Sequence, residues 1–199
     1  MIIPVPASDA GSPARCEWST LDAAAKRERL LNTAEEVFAR HGLDAPMSEV
    51  AEAVGAGVAS LYRCFPSKHE LLAALVARRM DQIADAAREA GKRHGDRWSA
   101  LTEMLMVVVE RQAADELLGE ARVSVAEHPD VIASAARATD ALDRLLAAAR
   151  VEGRLRADAT TLDLRLVFAA TRAAKQVAPG AWPRMLELLI DSLDAAAHQ

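Results

Sequence analysis

Aromatic side chains are scarce in this chain: one tyrosine, three phenylalanines and three tryptophans in 199 residues. Sheets draw heavily on such residues, whereas alanine, leucine, arginine and glutamate, which dominate here, favour helix, so an all-α fold is expected. Cysteine is nearly absent as well. Cys16 and Cys64 lie far apart and match no metal-ligand spacing, so neither a disulfide framework nor a metal site is expected, and a reduced, cytoplasmic chain is the natural reading. No basic region precedes a long apolar run at the N-terminus, and the apolar stretches stop short of the ~20 residues that a membrane span needs. Signatures of catalysis are missing too. His41, His69, His94, His128 and His198 fall at no metal-binding spacing, and the sequence holds no HExxH, no GxxxxGK(S/T) and no GxSxG. Glu127-His128-Pro129-Asp130 sets acid beside base, but adjacent polar residues at a helix end are usually solvated. Nothing nominates a nucleophile, a metal or a cofactor, so an enzyme is not expected.

Excess positive charge is also lacking. The net charge is -5, which taken alone argues against a nucleic-acid binder, because such proteins need a basic face. Distribution matters more than the total. Between residues 15 and 79, nine lysines and arginines balance nine acids, so the whole excess of acid lies elsewhere.

Residues 1–19 carry Pro4, Pro6, Gly11 and Pro13 without helical period and read as a flexible arm, with Arg15 its one cation. From Asp22 to His41, Leu30, Leu31, Ala34, Val37 and Phe38 recur at helical spacing, and Gly42 stops the helix. Pro46 can open a second helix whose buried face is Val50, Ala53 and Val54. After Gly55-Ala56-Gly57, a third runs from Val58 to about Cys64 and must end before Pro66. Ser67 caps a fourth, Lys68 to about Ala90, with Leu71, Leu72, Leu75, Val76, Met80 and Ile83 inward. Further helices are expected from Trp98 to about Leu117, from Pro129 to about Glu152, from Thr160 to Val177 and from Trp182 to about Ala197. The stretch MLMVVV at 104–109 is apolar all round, as in a helix surrounded by others. These spans number eight, and about nine helices are expected in all. They divide into an N-terminal unit over 20–66 and a larger helical unit over 67–199.

Three short helices, the second and third joined by a tight glycine-containing turn, make a helix-turn-helix. A helix that enters the major groove must let its backbone come close, and Gly57, Val58, Ala59 and Ser60 are small or short enough for that. Tyr62, Arg63 and Lys68 suit phosphate contacts, which position a protein on DNA rather than read its sequence. Ser48, early in the second helix, is placed with them. Taken singly, Tyr62 reads sooner as a half-buried core residue, and Arg63 and Lys68 read sooner as solvated surface charges.

The segments RERLLNTAEEVFARHG and MSEVAEAVGAGVASLYRCFPSKHELLAALV resemble the DNA-binding domain of TetR-family transcriptional regulators, over residues 27 to about 76. They are most similar to the branch that writes Gly-Val-Gly-x-Gly-Thr-Leu-Tyr-Arg-His-Phe-Pro in the recognition helix. The resemblance implies that Gly57 opens that helix, that Tyr62 and Lys68 bind phosphate, and that Ser60 stands where the family has threonine. Three positions depart from the pattern: Ala59 replaces a glycine, Ala56 a core valine and Cys64 a histidine. A lone cysteine without a nearby partner makes a poor reversible switch, so Cys64 reads as a small apolar substitute.

The resemblance also implies a C-terminal helical body that dimerises and binds a small effector. Leu162, Leu166, Ala170, Ala173 and Val177 form one apolar stripe, and Met185, Leu189 and Leu193 another. A hairpin of two such helices can pair with its twofold copy into a four-helix bundle. Trp98, Leu101, Met104, Leu105, Val108, His128, Phe168 and Arg172 are the candidates for an effector pocket, although a methionine-rich buried helix more often fills space. The expected function is a sequence-specific regulator, a repressor released from a palindromic DNA operator by a hydrophobic small molecule. A helical protein-interaction module with degenerate DNA binding is the alternative, kept open by the neutral charge balance and by Ala59.

Overall fold

The computed structural model describes residues 18–93, 95–111, 116–178 and 180–198, and the described residues are helical apart from turns and one isolated bridge. The arm expected over 1–19 falls, but for its last two residues, outside them. The chain divides into two compact units between Leu71 and Leu72.

In the first unit, α1 spans Ala23–His41. The Ala25 amide donates to the Asp22 carboxylate across 2.8 Å, which satisfies one of the four amides a helix start leaves unpaired. Its buried residues are Leu30, Leu31, Ala34, Val37 and Phe38, the stripe that the spacing predicts. α2 follows over Met47–Val54 and buries Met47, Val50, Ala51 and Val54. Ala53, expected inside, is exposed, and Ala51 takes its place. Pro46 stands one position before the helix rather than in it, as its extended N-cap.

Gly55 ends α2 in the left-handed region, at φ 74° and ψ 25°, where a Cβ would be strained. Its amide and that of Ala56 return to the carbonyls of the last turn, and the chain then enters α3, Val58–Cys64. Leu61 is the buried residue of α3, and Phe65 follows it into the core. This three-helix unit is held by burial of Leu30, Phe38, Val50, Leu61 and Phe65. Each such side chain contributes about 1.5–3 kcal/mol by leaving water.

α4 spans Lys68–Lys92 and begins where the Ser67 hydroxyl accepts from the Glu70 amide. The second unit continues through α5 (Arg97–Arg111), α6 (Glu116–Ser124), α7 (Pro129–Val151), α8 (Thr161–Val177) and α9 (Trp182–Leu193), with a 3-10 turn at Ala195–His198. The expected helix from Trp98 to about Leu117 is described as α5 as far as Arg111, and Leu117 belongs to α6, a helix that apolar spacing did not disclose. Its sequence, ELLGEARVS, is nine residues long with a glycine inside, so periodicity carries little there.

The core of this unit joins Ile83 of α4, Leu101 and Leu105 of α5, Leu145 and Leu146 of α7, Leu164 and Val167 of α8, and Leu186 of α9. MLMVVV is not enclosed on every side. Met104, Leu105, Val108 and Val109 are buried, but Met106 and Val107 are exposed and line a groove of about 820 Å³ between α4 and α5. A single antiparallel bridge, Leu155 with Asp194, ties the loop after α7 to the end of α9, with the Ala195 amide donating to the Arg154 carbonyl at 2.8 Å.

Candidate nucleic-acid interface

The face of α3 that does not carry Leu61 is open to solvent. Val58 is 42% exposed and Tyr62 45%, Ala59 and Arg63 are exposed, and Ser60 is half-buried. Ser48, second residue of α2, is also exposed. A Cβ placed on Gly57 would meet nothing within 4 Å. Packing within the chain therefore sets no limit on side-chain size at that position.

The polar groups of α3 are partly organised among themselves. Arg63 donates from Nη2 to the Ser60 hydroxyl at 2.7 Å, one turn back along the same face. This holds the guanidinium along the helix instead of leaving it free in water. The phenol of Tyr62 stands on the neighbouring exposed surface. Cys64 is a free thiol, half-buried at the end of the helix.

Lys68 is placed differently from a plain surface cation. Its ammonium donates to the Ala45 carbonyl at 2.9 Å and lies 5.7 Å from the centre of the Phe38 ring. One of its three N–H groups is thereby used inside the unit, and two remain. Arg27, which the motif reasoning passed over, sits with its guanidinium 4.5 Å above the Phe65 ring, beside the end of α3. Only its place in the basic run KRER, at the start of α1, marks it in the sequence.

Of the eight candidates for an effector pocket, Met104 lines the groove between α4 and α5. Trp98, Leu101, Met104, Leu105 and Val108 are packed in the core of the second unit, with Phe168 half-buried against it. His128 is the N-cap of α7, its Nδ1 accepting from the Asp130 amide at 3.3 Å. Arg172 instead crosses α6 at Gly119.

The two apolar stripes separate sharply. On α8, Leu162 and Leu166 are 59% and 57% exposed, Val177 is 88% exposed and Ala173 is open, with Ala170 half-buried. Leu164, Val167, Thr171 and Ala174 face the core. The α9 stripe turns inward. Leu193 is buried, Leu189 packs on the core and Met185 is half-buried, and Leu188 is the large apolar side chain that α9 leaves exposed.

Residues 30–75 match the model of the family described as bacterial regulatory proteins, tetR family. A TetR transcription regulatory protein from Mycobacterium vanbaalenii is 30% identical. The alignment covers 92% of this chain and 100% of that one, with a TM-score of 0.64. The chain belongs to the TetR family. A TetR transcriptional regulator from Streptomyces coelicolor shares the fold at 24% identity and a TM-score of 0.66, over 84% of this chain and 98% of its own. SmeT, the repressor of a multidrug efflux pump of Stenotrophomonas maltophilia, does so at 24% identity and 0.62, over 87% and 90%. A comparison with curated protein sequences found no match.

Family membership makes α2 and α3 the helix-turn-helix of a DNA-binding transcriptional regulator. No helix among the described residues is long and apolar enough to cross a membrane.

Proposed function

We propose that the protein is a homodimeric repressor that holds a palindromic operator and leaves it when a small molecule occupies the second unit. The observation that carries the reading is the surface of α3. Gly57 and Ala59 are small although the space in front of Gly57 is open within the chain, so the demand for smallness comes from an outside surface that must approach closely. The major groove of DNA is such a surface. Ser48, Val58, Ser60, Tyr62 and Arg63 frame that approach, and Lys68 has two N–H groups left for a phosphate oxygen.

Two reading heads must lie about one DNA turn apart, ~34 Å, which requires a dimer. The exposed stripe of Leu162, Leu166, Ala173 and Val177, with Leu188 on α9, supplies an apolar surface that a second copy would cover. Effector binding then shifts the population toward a dimer whose heads are wrongly spaced, and affinity for the operator falls. A cytoplasmic location accompanies this role.

Selection of bound DNA from a random pool tests the proposal. Enrichment of a palindrome, bound with an affinity that drops steeply as salt rises, is expected, since counterions are displaced from the phosphates. A protein that enriches no sequence, or whose DNA binding ignores salt, is not this regulator and fits the interaction module instead.

A further inference from the structure

We infer that Arg63 reads a guanine in each half of the operator and that Ser60 is the residue that positions it. This rests on the operator reading above and deepens it by naming one base and the side chain that selects it.

Spacing alone puts Arg63 among the phosphate contacts. Its hydrogen bond to Ser60 points to a different task. An exposed arginine held by nothing samples many rotamers, and fixing it on DNA costs binding free energy. Here Nη2 donates to the Ser60 hydroxyl at 2.7 Å, and Ser60 is half-buried, so the fork is tied to a side chain that the reading head itself restrains. Arg63 thereby folds back one turn along α3, the direction in which helical side chains lean. It comes to lie on the face of Ala59 and Ser60, four and three residues before it, with Gly57 and Val58 next along the chain. All four are too short to stand between the fork and the floor of a groove. Phosphates flank the groove and base edges form its floor, so a cation laid among the shortest side chains of the helix meets bases.

The chemistry of the group then selects the base. A guanidinium has five N–H donors and no acceptor. Ser60 takes one of them, and whichever Nη2 proton it takes, a parallel pair of N–H groups is left on another edge of the fork. Such a pair needs two adjacent acceptors. Guanine offers O6 and N7 in the major groove, whereas adenine sets a donor beside its acceptor, and thymine and cytosine offer no acceptor pair. Ser60, having accepted from Arg63, keeps its own proton to donate to a neighbouring base or phosphate.

The test puts the full-length parent, Arg63→Gln, Ser60→Ala and Ser60→Thr through selection from random DNA. Affinities then follow by fluorescence anisotropy on the selected site, with its guanine changed to each other base or to 7-deazaguanine, which keeps O6 but has no N7. The parent is expected to select guanine at one position of each half-site and to lose at least about fivefold on every replacement. Arg63→Gln shifts that position toward adenine, whose edge suits an amide, and keeps the other positions. Ser60→Ala retains the cation, so the slope of log affinity against log salt is unchanged, but its preference for guanine falls about threefold or more. Ser60→Thr keeps the hydroxyl and restores the preference.

The reading of guanine by Arg63 is overturned if Arg63→Gln keeps the parent's preference at every position. It is overturned equally if that variant weakens all sequences alike and lowers the salt slope by about one, the mark of a phosphate contact. Undiminished preference in Ser60→Ala, or a Ser60→Thr variant no better than Ser60→Ala, overturns the positioning role. A parent that selects no sequence removes the operator reading and this inference with it. A selected palindrome without an Arg63-dependent guanine removes this inference alone.

Discussion

The ammonium of Lys68 donates to the main-chain carbonyl of Ala45 across 2.9 Å, joining the first residue of α4 to the loop that precedes α2. The same group lies over the Phe38 ring. A residue that motif reasoning assigns to phosphate is therefore also an internal fastener of the reading head. Lys68→Met is expected to lower stability by about 1–2 kcal/mol, through loss of a charged hydrogen bond. It also reduces the salt dependence of operator binding by about one phosphate contact, read from the slope of log affinity against log salt. An unchanged slope would make Lys68 purely structural.

Gly57 separates packing from recognition. Its backbone, at φ -71° and ψ 142°, suits any residue, and the space beyond it is empty. Gly57→Leu leaves a folded protein, destabilised by about 1 kcal/mol at most through the poorer helix cap. Its operator affinity, measured by fluorescence anisotropy, drops at least about tenfold, because the added side chain holds the helix away from the groove.

Tyr62→Phe removes one hydroxyl from a side chain that is nearly half exposed. Stability stays within about 0.5 kcal/mol, as for surface changes generally. Affinity for the operator weakens about five- to tenfold if the phenol donates to a phosphate. Equal affinities would remove Tyr62 from the interface.

Paired substitution of Leu162 and Leu166 by Glu puts two charges on the open stripe of α8. Both side chains are more than half exposed, so the helical signal in circular dichroism is retained. Sedimentation is expected to shift from dimer to monomer and operator binding to fail. A variant that sediments as a dimer places the interface elsewhere.

Asp163 carries a pH signature. The Thr160 amide donates to its carboxylate at 2.7 Å and the Thr160 hydroxyl at 2.8 Å, which holds its pKa below the ordinary carboxylate value. A depressed folded-state pKa contributes stability that is complete above the unfolded value, about 3.9, and is lost as pH falls through the folded one. Asp163→Ala thus costs about 0.5–1 kcal/mol at neutral pH. In urea melts the gap between variant and parent closes as pH drops below about 4. A gap that persists in acid assigns the cost to packing instead.

Periodicity and punctuation carry most of the fold. The buried face of α1 matches residue for residue, because a strong 3.6-residue stripe closed by glycine leaves few alternatives. α6 escaped, since a short segment with Gly119 inside it has no clear period. The α9 stripe shows a different limit. Met185, Leu189 and Leu193 are apolar and share a face, but a stripe does not say whose core it fills, and here it turns toward its own.

Composition and motif, by themselves, determined that the fold class is all-α, that a helix-turn-helix lies in the N-terminal unit, and that small residues start the third helix, because these follow from local propensity and spacing. Tertiary structure alone decided what each cation lies against. Lys68 and Arg27 are drawn onto Phe38 and Phe65, Arg63 onto Ser60, and Arg172 against Gly119. A charge's partner depends on what the fold places within a few ångströms of it, and for these residues those neighbours, apart from Ser60, come from distant stretches of the sequence.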